Sequence, residues 1–447
     1  MRRIEVVLLA LVVAASRASR ADEAELLEAP PADAAQRMSA PLEKAFEPVA
    51  EKPARFPALK NALADLPPFL RDSRLDLHLR SYYFDRLRFD RDESEAWAYG
   101  GWLDYQTGWL ADVFSLQTTV FTSQKILGLA SRDGTLLLQP GQEGYGVLGV
   151  ANAQLRYADQ RFVAWRQEID LPFVNKRDSR MTPNTFEAYT LDGKLGDFKY
   201  VVGQVLQLKE RNADVFVPMS EAAGVADSNH GLTLAGFRYS PTKSFDVGAI
   251  TEFLYDTYNT VYAEGGYSVT LPRSGVGLRA DLQLTDQRSV GADLLGGGAF
   301  DTQRLGGRVA ASYADIVLRA GFSTTSNGRA IQNPFGTDPS FLSMMQDDFK
   351  SADEDAWMLG LSYGFRRLGL PDLSAIVYYV SGSGARSDTG VPLPDRREWD
   401  LTVDYRYKQG FLRGLWLRFR ISFLDEAHAP HTQKEMRAIL NYDLPVL

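Results

Sequence analysis

Cysteine is absent from all 447 residues, so neither a disulfide framework nor a thiolate metal site can hold this chain together. Histidine is nearly as scarce. His78, His230, His428 and His431 are the full set, none stands in an HExxH spacing, and a zinc site would have to borrow carboxylates. Nothing singles out a Ser/His/Asp arrangement. Basic charge is not in excess either. A formal net charge of −8 provides no broad cationic surface for phosphate, which sets nucleic acid aside as a partner. Long apolar runs are missing as well: only Val6 to Ala15 is uninterrupted, well short of the roughly 20 residues of a membrane-spanning helix. The expectation is a protein without cofactor, metal or catalytic constellation.

That one apolar run reads as an export signal. Arg2 and Arg3 provide the positive end, and Ser19-Arg20-Ala21 offers small residues where a signal peptidase needs them. Residues 1–21 are therefore expected to be removed. Residues 22–72 follow with a composition rich in Ala, Pro, Glu and Asp and with little alternation. They read as a partly disordered N-terminal extension on the periplasmic side.

From Ser73 onward the pattern changes to period two. Leu75, Leu77 and Leu79 alternate with Asp76, His78 and Arg80. Val147, Gly149, Ala151, Ala153 and Leu155 alternate with Asn152, Gln154 and Arg156. Leu278, Ala280, Leu282 and Leu284 alternate with Arg279, Asp281 and Gln283, and Leu415 to Phe423 alternate with Arg418, Arg420 and Ser422. Each such strand carries one apolar and one polar wall. At about 10–14 residues they exceed the usual five or six of soluble sheets and suit a tilted membrane strand. The 20 Tyr, 24 Phe and 7 Trp suit the aromatic girdles of such a barrel.

Linker lengths point the same way. Gly108-Trp109, Asp159, Lys194–Gly196, Pro241–Lys243 and Tyr313-Ala314 are tight, whereas Gln124–Tyr145, Leu171–Pro183, Lys209–Asn229, Gln287–Asp301 and Thr325–Glu354 are long. Outer-membrane barrels alternate short periplasmic turns with long outer loops in this manner. The expected fold is all-β: a transmembrane antiparallel β-barrel of about 18 strands over residues 73–447, both termini periplasmic. The dinucleotide-like string Gly144 to Gly149 opens an alternating strand rather than a helix, so it is a chance match.

With the apolar register facing lipid, Arg80, Arg156, Arg166, Arg279, Arg304, Arg308, Arg319, Arg406, Arg418, Arg420 and Arg437 point into the lumen. Glu168, Asp170, Asp281, Asp400 and Asp404 point the same way, and some of these charges must pair. A guanidinium stays ionised and presents a fork that fits a carboxylate. A series along one wall offers an anion successive weak sites.

Several stretches resemble one family of outer-membrane channels. They are DLPFVNKRDSRMTPNTFEAYTL (170–191), LQPGQEGYGVLG (138–149), NPFGTDPSFLSMM (333–345) and AWMLGLSYGFRRLGLPDLSAIVYY (356–379), with RSYYF and EAWAYGGWLDYQTG before them and RAILNYDLP after. In order and spacing they resemble the OprD (Occ) family of carboxylate channels over roughly residues 70–447. The resemblance implies an 18-stranded barrel, monomeric or loosely trimeric, whose third loop folds inward as a constriction. It places Asp178, Ser179 and Arg180 in that loop, Arg406, Arg418 and Arg420 on a basic ladder, and Asn333–Gly336 in a seventh loop leaning into the pore. The implied function is passive uptake of small carboxylate-bearing solutes, amino acids or organic acids. Lys176, Arg177 and Arg180 tilt the choice toward anionic ones. The implied surroundings are outer-membrane lipid, lipopolysaccharide and the barrel-assembly machinery. An adhesive or structural barrel with long outer loops, or an outer-membrane hydrolase, would use the same architecture.

Overall fold

The computed structural model describes residues 54–447; the expected signal peptide and most of the expected extension lie outside that range. Two short helices, α1 (Pro57–Ala62) and α2 (Pro68–Arg71), precede the sheet. Strands β1 (Arg74–Leu87), β2 (Glu93–Gln106), β3 (Phe114–Leu127), β4 (Tyr145–Tyr157), β5 (Gln160–Gln167), β6 (Thr185–Leu195) and β7 (Phe198–Lys209) follow. A two-residue strand, β8 (Val217–Pro218), and a single helical turn, α3 (Met219–Ala222), interrupt the series. The rest are β9 (Leu232–Tyr239), β10 (Phe245–Leu254), β11 (Tyr258–Thr270), β12 (Gly277–Ser289), β13 (Asp301–Tyr313), β14 (Ile316–Thr325), β15 (Asp355–Gly364), β16 (Leu373–Ser383), β17 (Arg396–Arg406), β18 (Leu415–Glu426) and β19 (Gln433–Pro445).

All pair antiparallel into one sheet, and β1 pairs with β19 from Asp76↔Pro445 to Leu87↔Lys434. The sheet is thus a closed barrel of 18 strands, with β8 as a small addition at the end of β7. Closure leaves no unpaired edge, and it replaces the cross-links that a chain without cysteine cannot form. Short turns gather at one end and long loops at the other, and both ends of the barrel chain lie at the short-turn end.

The outer wall carries the apolar half of the period. Leu282, Val309, Leu318 and Leu359 are each more than half exposed, which a water-soluble sheet would hide and a lipid-facing wall requires. Among the described residues no helix is long and apolar enough to cross a membrane.

Two local departures from the sequence pattern have clear causes. The turn before β3 is longer than Gly108-Trp109, because Ala111 and Asp112 both adopt left-handed backbone angles and delay the strand to Phe114. In β4 a bulge opposite Thr119/Val120 shifts the alternation. Ala151 to Leu155 keep the expected faces. Gly149 instead faces inward, where a Cβ would meet the Phe121 ring at 2.4 Å, while Leu148 faces out.

Candidate functional site

The lumen is narrowed by two loops that cross it. The third loop (168–184, between β5 and β6) begins in an apolar cluster. Ile169, Leu171, Phe173 and Val174 are buried there with Phe186, Val205, Leu234, Ile250 and Tyr262 from the wall, and with Phe335 from the seventh loop (326–354, between β14 and β15). Asn175 staples the two loops. Its Nδ2 donates to Thr337 O (3.0 Å), and its Oδ1 accepts from Thr337 N (2.8 Å). Gly336 permits that approach, since a Cβ would lie 2.6 Å from the Asn175 amide.

The far end of the third loop reaches the opposite wall. Arg80 on β1 donates to Asp178 Oδ1 (2.6 Å) and to Arg180 O (2.5 Å), and Tyr82 donates to Ser179 O (3.1 Å). Met181 is buried against Tyr82, Phe84, Ala96 and Ala98. Within this enclosure burial raises the Asp178 carboxyl, but Arg80 more than offsets it and holds the group below its ordinary range.

The seventh loop is held along its middle by charged residues of the wall. Asp338 receives a buried two-point pair from Arg304 on β13 (2.5 and 2.8 Å). Farther along, the backbone N–H of Met345 donates to Asp400 (3.0 Å), and those of Gln346 and Asp347 donate to Glu398 (2.9 Å each). Phe341 lies against the Arg308 guanidinium, 4.2 Å from its ring centre. The two loops therefore lie across the lumen, each tied to the barrel wall.

The expected lumen arginines divide into groups. Arg279 pairs with Asp246 (3.1 Å) and Asp281 (2.6 Å), and Arg308 pairs with Asp281 (2.7 Å). Arg319 is buried and donates to Ser362 (2.7 Å). Arg418 makes a two-point pair with Asp404 (2.7 and 2.9 Å), and Trp416 lies beside both Arg418 and Arg406 (4.3 and 4.2 Å from the ring centre). Arg156 sits at the short-turn rim, bound to Asp112 (3.0 Å) and stacked on Trp109.

Arg166 is a correction. It opposes and pairs with Glu187 (3.0 Å) on the face away from the buried Gln167 and Phe186, and it covers Phe216 of the fourth loop (210–231). It therefore lies on the outer side near the long loops. The left-handed Trp165 beside it marks the irregularity that an even count along β5 misses.

A concentrated group forms where β18, β19 and β1 meet the third loop. Arg420 and Arg437 stand directly opposite each other on neighbouring strands. Arg86, Arg180 and Arg437 all lie around the Phe84 ring, at 5.1, 4.8 and 5.4 Å. Arg211, from the fourth loop, donates to Ser179 Oγ (2.5 Å). Among the described residues, Glu435 is the one carboxylate in ion-pair contact with any of these five guanidiniums, through Arg86 and Arg437. Among the described residues, Arg420 donates only to Thr402 Oγ1 (3.1 Å). Arg180 donates to Thr135 O (2.7 Å) and Ser179 O (2.9 Å). It is buried behind the loop rather than projecting from it. Burial, followed by the charge of Arg437, lowers its pKa to about 9, which leaves it cationic at neutral pH. Burial and the neighbouring Arg180 push Arg211 down as well.

Sequence reading missed Arg86 and Arg211. Arg86 follows Tyr82 and Phe84 on the lumen face of β1 and was legible from period two. Arg211 sits in a loop with no period, and nothing local marked it.

Fold and site together define a channel-forming outer-membrane barrel, its lumen narrowed by inward loops and its charge concentrated on one wall. Residues 67–446 match the family described as outer membrane porin, OprD family, and the chain belongs to that family. Porin D of Pseudomonas aeruginosa is 22% identical over 422 residues, covering 86% of this chain and 93% of that protein. The porin-like protein GalP of Pseudomonas putida is 24% identical over 410 residues, covering 85% and 93%. Among solved structures, OccK9 (OpdG) of Pseudomonas aeruginosa superposes with a TM-score of 0.77 at 26% identity, over 85% of this chain and all of that one. A BenF-like porin from Pseudomonas fluorescens Pf-5 gives 0.76 at 22% identity, over 84% and all of it.

Proposed function

We propose that this porin passes small carboxylate-bearing solutes by passive diffusion, and that its short-turn end and both termini face the periplasm. The observation that carries the reading is the charge surplus beside the third loop: among the described residues, five guanidiniums are in ion-pair contact with one carboxylate. In a narrow lumen with low-dielectric walls, such a surplus concentrates anions. A fork-shaped donor with unfilled positions then favours a carboxylate over a spherical ion. Arg420 is the member best placed to hand the solute on, being half-buried and held by a single hydroxyl. Arg418 and Arg406, beside Trp416, continue the path toward the short turns. Arg180 and Arg211 contribute field rather than contact. Asp178 and Ser179 shape the third loop through Arg80 and Tyr82. A solved relative, OpdK of Pseudomonas aeruginosa, was crystallised with vanillate, a carboxylate, which agrees with this reading.

The test is single-channel recording of the refolded protein in a planar bilayer, with benzoate or succinate added to one side. Discrete openings with anion-selective reversal potentials and carboxylate-dependent block are expected. A folded, inserted barrel that prefers cations would overturn the reading.

A further inference from the structure

The outer wall is not uniformly covered by large side chains. Across β11 to β17 an apolar groove of about 810 Å³ opens on the lipid side, toward the short-turn end. Its floor is low: Ala280 on β12 and Ala320 on β14 stand on either side of Val309 on β13, and Ala311 lies one outward position nearer the short turns. Leu318, Leu359 and Tyr379 raise its sides.

The rim below the groove has a charge imbalance. The turn after β15 carries Arg366 and Arg367, and both reach one carboxylate, Asp315 in the turn after β13 (3.3 and 3.5 Å). The Asp315 side chain is buried, and among the described residues nothing donates a hydrogen bond to its Oδ2. In the turn after β11, exposed Arg273 has no ion-pair partner among the described residues. Asp315 meets Arg366 and Arg367, and Asp372 in the same turn meets Lys408, so Arg273 adds unmatched positive charge at the level where the headgroups of the adjacent leaflet lie. Tyr363 and Phe365 meet edge to face at 4.8 Å at the same level, where interfacial aromatics gather.

We infer that this groove is a site for one anionic phospholipid, its acyl chains along Ala280, Ala311 and Ala320 and its phosphate between Arg273 and the Arg366–Arg367 pair. The apolar trough supplies burial that any lipid would gain, and the surplus positive charge selects an anionic headgroup. The choice of phospholipid over lipopolysaccharide rests on the proposed periplasmic orientation of the short turns.

The test is native mass spectrometry of the full, detergent-solubilised protein with equal amounts of phosphatidylglycerol and phosphatidylethanolamine of identical chains. Wild type is expected to retain one phosphatidylglycerol with at least about five-fold preference. Arg273→Gln/Arg366→Gln/Arg367→Gln should lose the preference, whereas Ala320→Trp should lose retention of both lipids. Single-channel conductance should be unchanged in the triple variant, so failure here is distinguishable from failure of the transport reading. Should Ala320→Trp not fold, the triple variant alone decides. No retained lipid, equal retention of the two lipids by wild type, a preference that survives the triple variant, or oligomers that fill the groove instead of lipid would each overturn the inference.

Discussion

Two walls of the same lumen hold arginine in different company. On the β10–β13 side, Arg279 and Arg308 share Asp281, Arg279 also meets Asp246, and Arg304 is locked to Asp338. Carboxylates there match guanidiniums closely, and the charges fasten strands and loop. On the β18–β1 side, Arg420, Arg180 and Arg211 have no carboxylate within ion-pair distance among the described residues, and Arg86 and Arg437 divide one. Residue type and lumen orientation are shared. What separates a matched guanidinium from an unmatched one is the count of acids within reach, and that count is set by register and loop docking.

The comparison can be broken from either side. The largest effect is expected from Asp338→Ala, which strands the buried Arg304 guanidinium. Loss of about 3–5 kcal/mol should release the seventh loop, seen as a lower melting temperature and larger, noisier conductance. Gly336→Ala should come next, since its methyl group collides with the Asn175 staple. A cost of about 1–3 kcal/mol and flickering of the open state are the expected readouts. Asp404→Asn sharpens the contrast in the other direction. It frees Arg418 from its two-point pair and should raise the anion-to-cation permeability ratio about two- to three-fold, as one added unit of site charge would.

The smallest expected effect is a pH term. Burial pushes the Glu354 carboxyl at the end of the seventh loop up to about 7. The protonated form is the one the fold favours, so this group's stabilising share is complete below its ordinary value and is lost as pH rises through about 7. Thermal melts of Glu354→Gln should therefore lie closest to wild type at pH 4 and exceed it most at pH 8.

Much of the architecture was legible because period two is a backbone property. The strand ends fall within a few residues of expectation except at β3, where two left-handed residues in the turn moved the start to Phe114. The inward third and seventh loops entered through family resemblance, and the structure gives their physical basis in Asn175, Gly336 and the Phe335 cluster. Pairing was only partly readable. Arg279 with Asp281 and Glu435 with Arg437 stand two apart on one strand face, and that spacing alone announces a pair. Arg80 with Asp178, and Arg304 with Asp338, join a strand to a loop whose path no local pattern specifies. The sorting of lumen arginines into paired and unpaired sets therefore had to come from the three-dimensional arrangement.

The most direct measurement sets Arg420→Gln beside Arg308→Gln, reading both the reversal potential in a salt gradient and the melting temperature. Arg420→Gln should reduce anion preference several-fold with its melt close to wild type, and Arg308→Gln should lower the melt by leaving Asp281 to Arg279 alone while anion preference survives. Equal loss of selectivity in the two variants, or none in Arg420→Gln, would contradict the division of the lumen into a fastening wall and an attracting one.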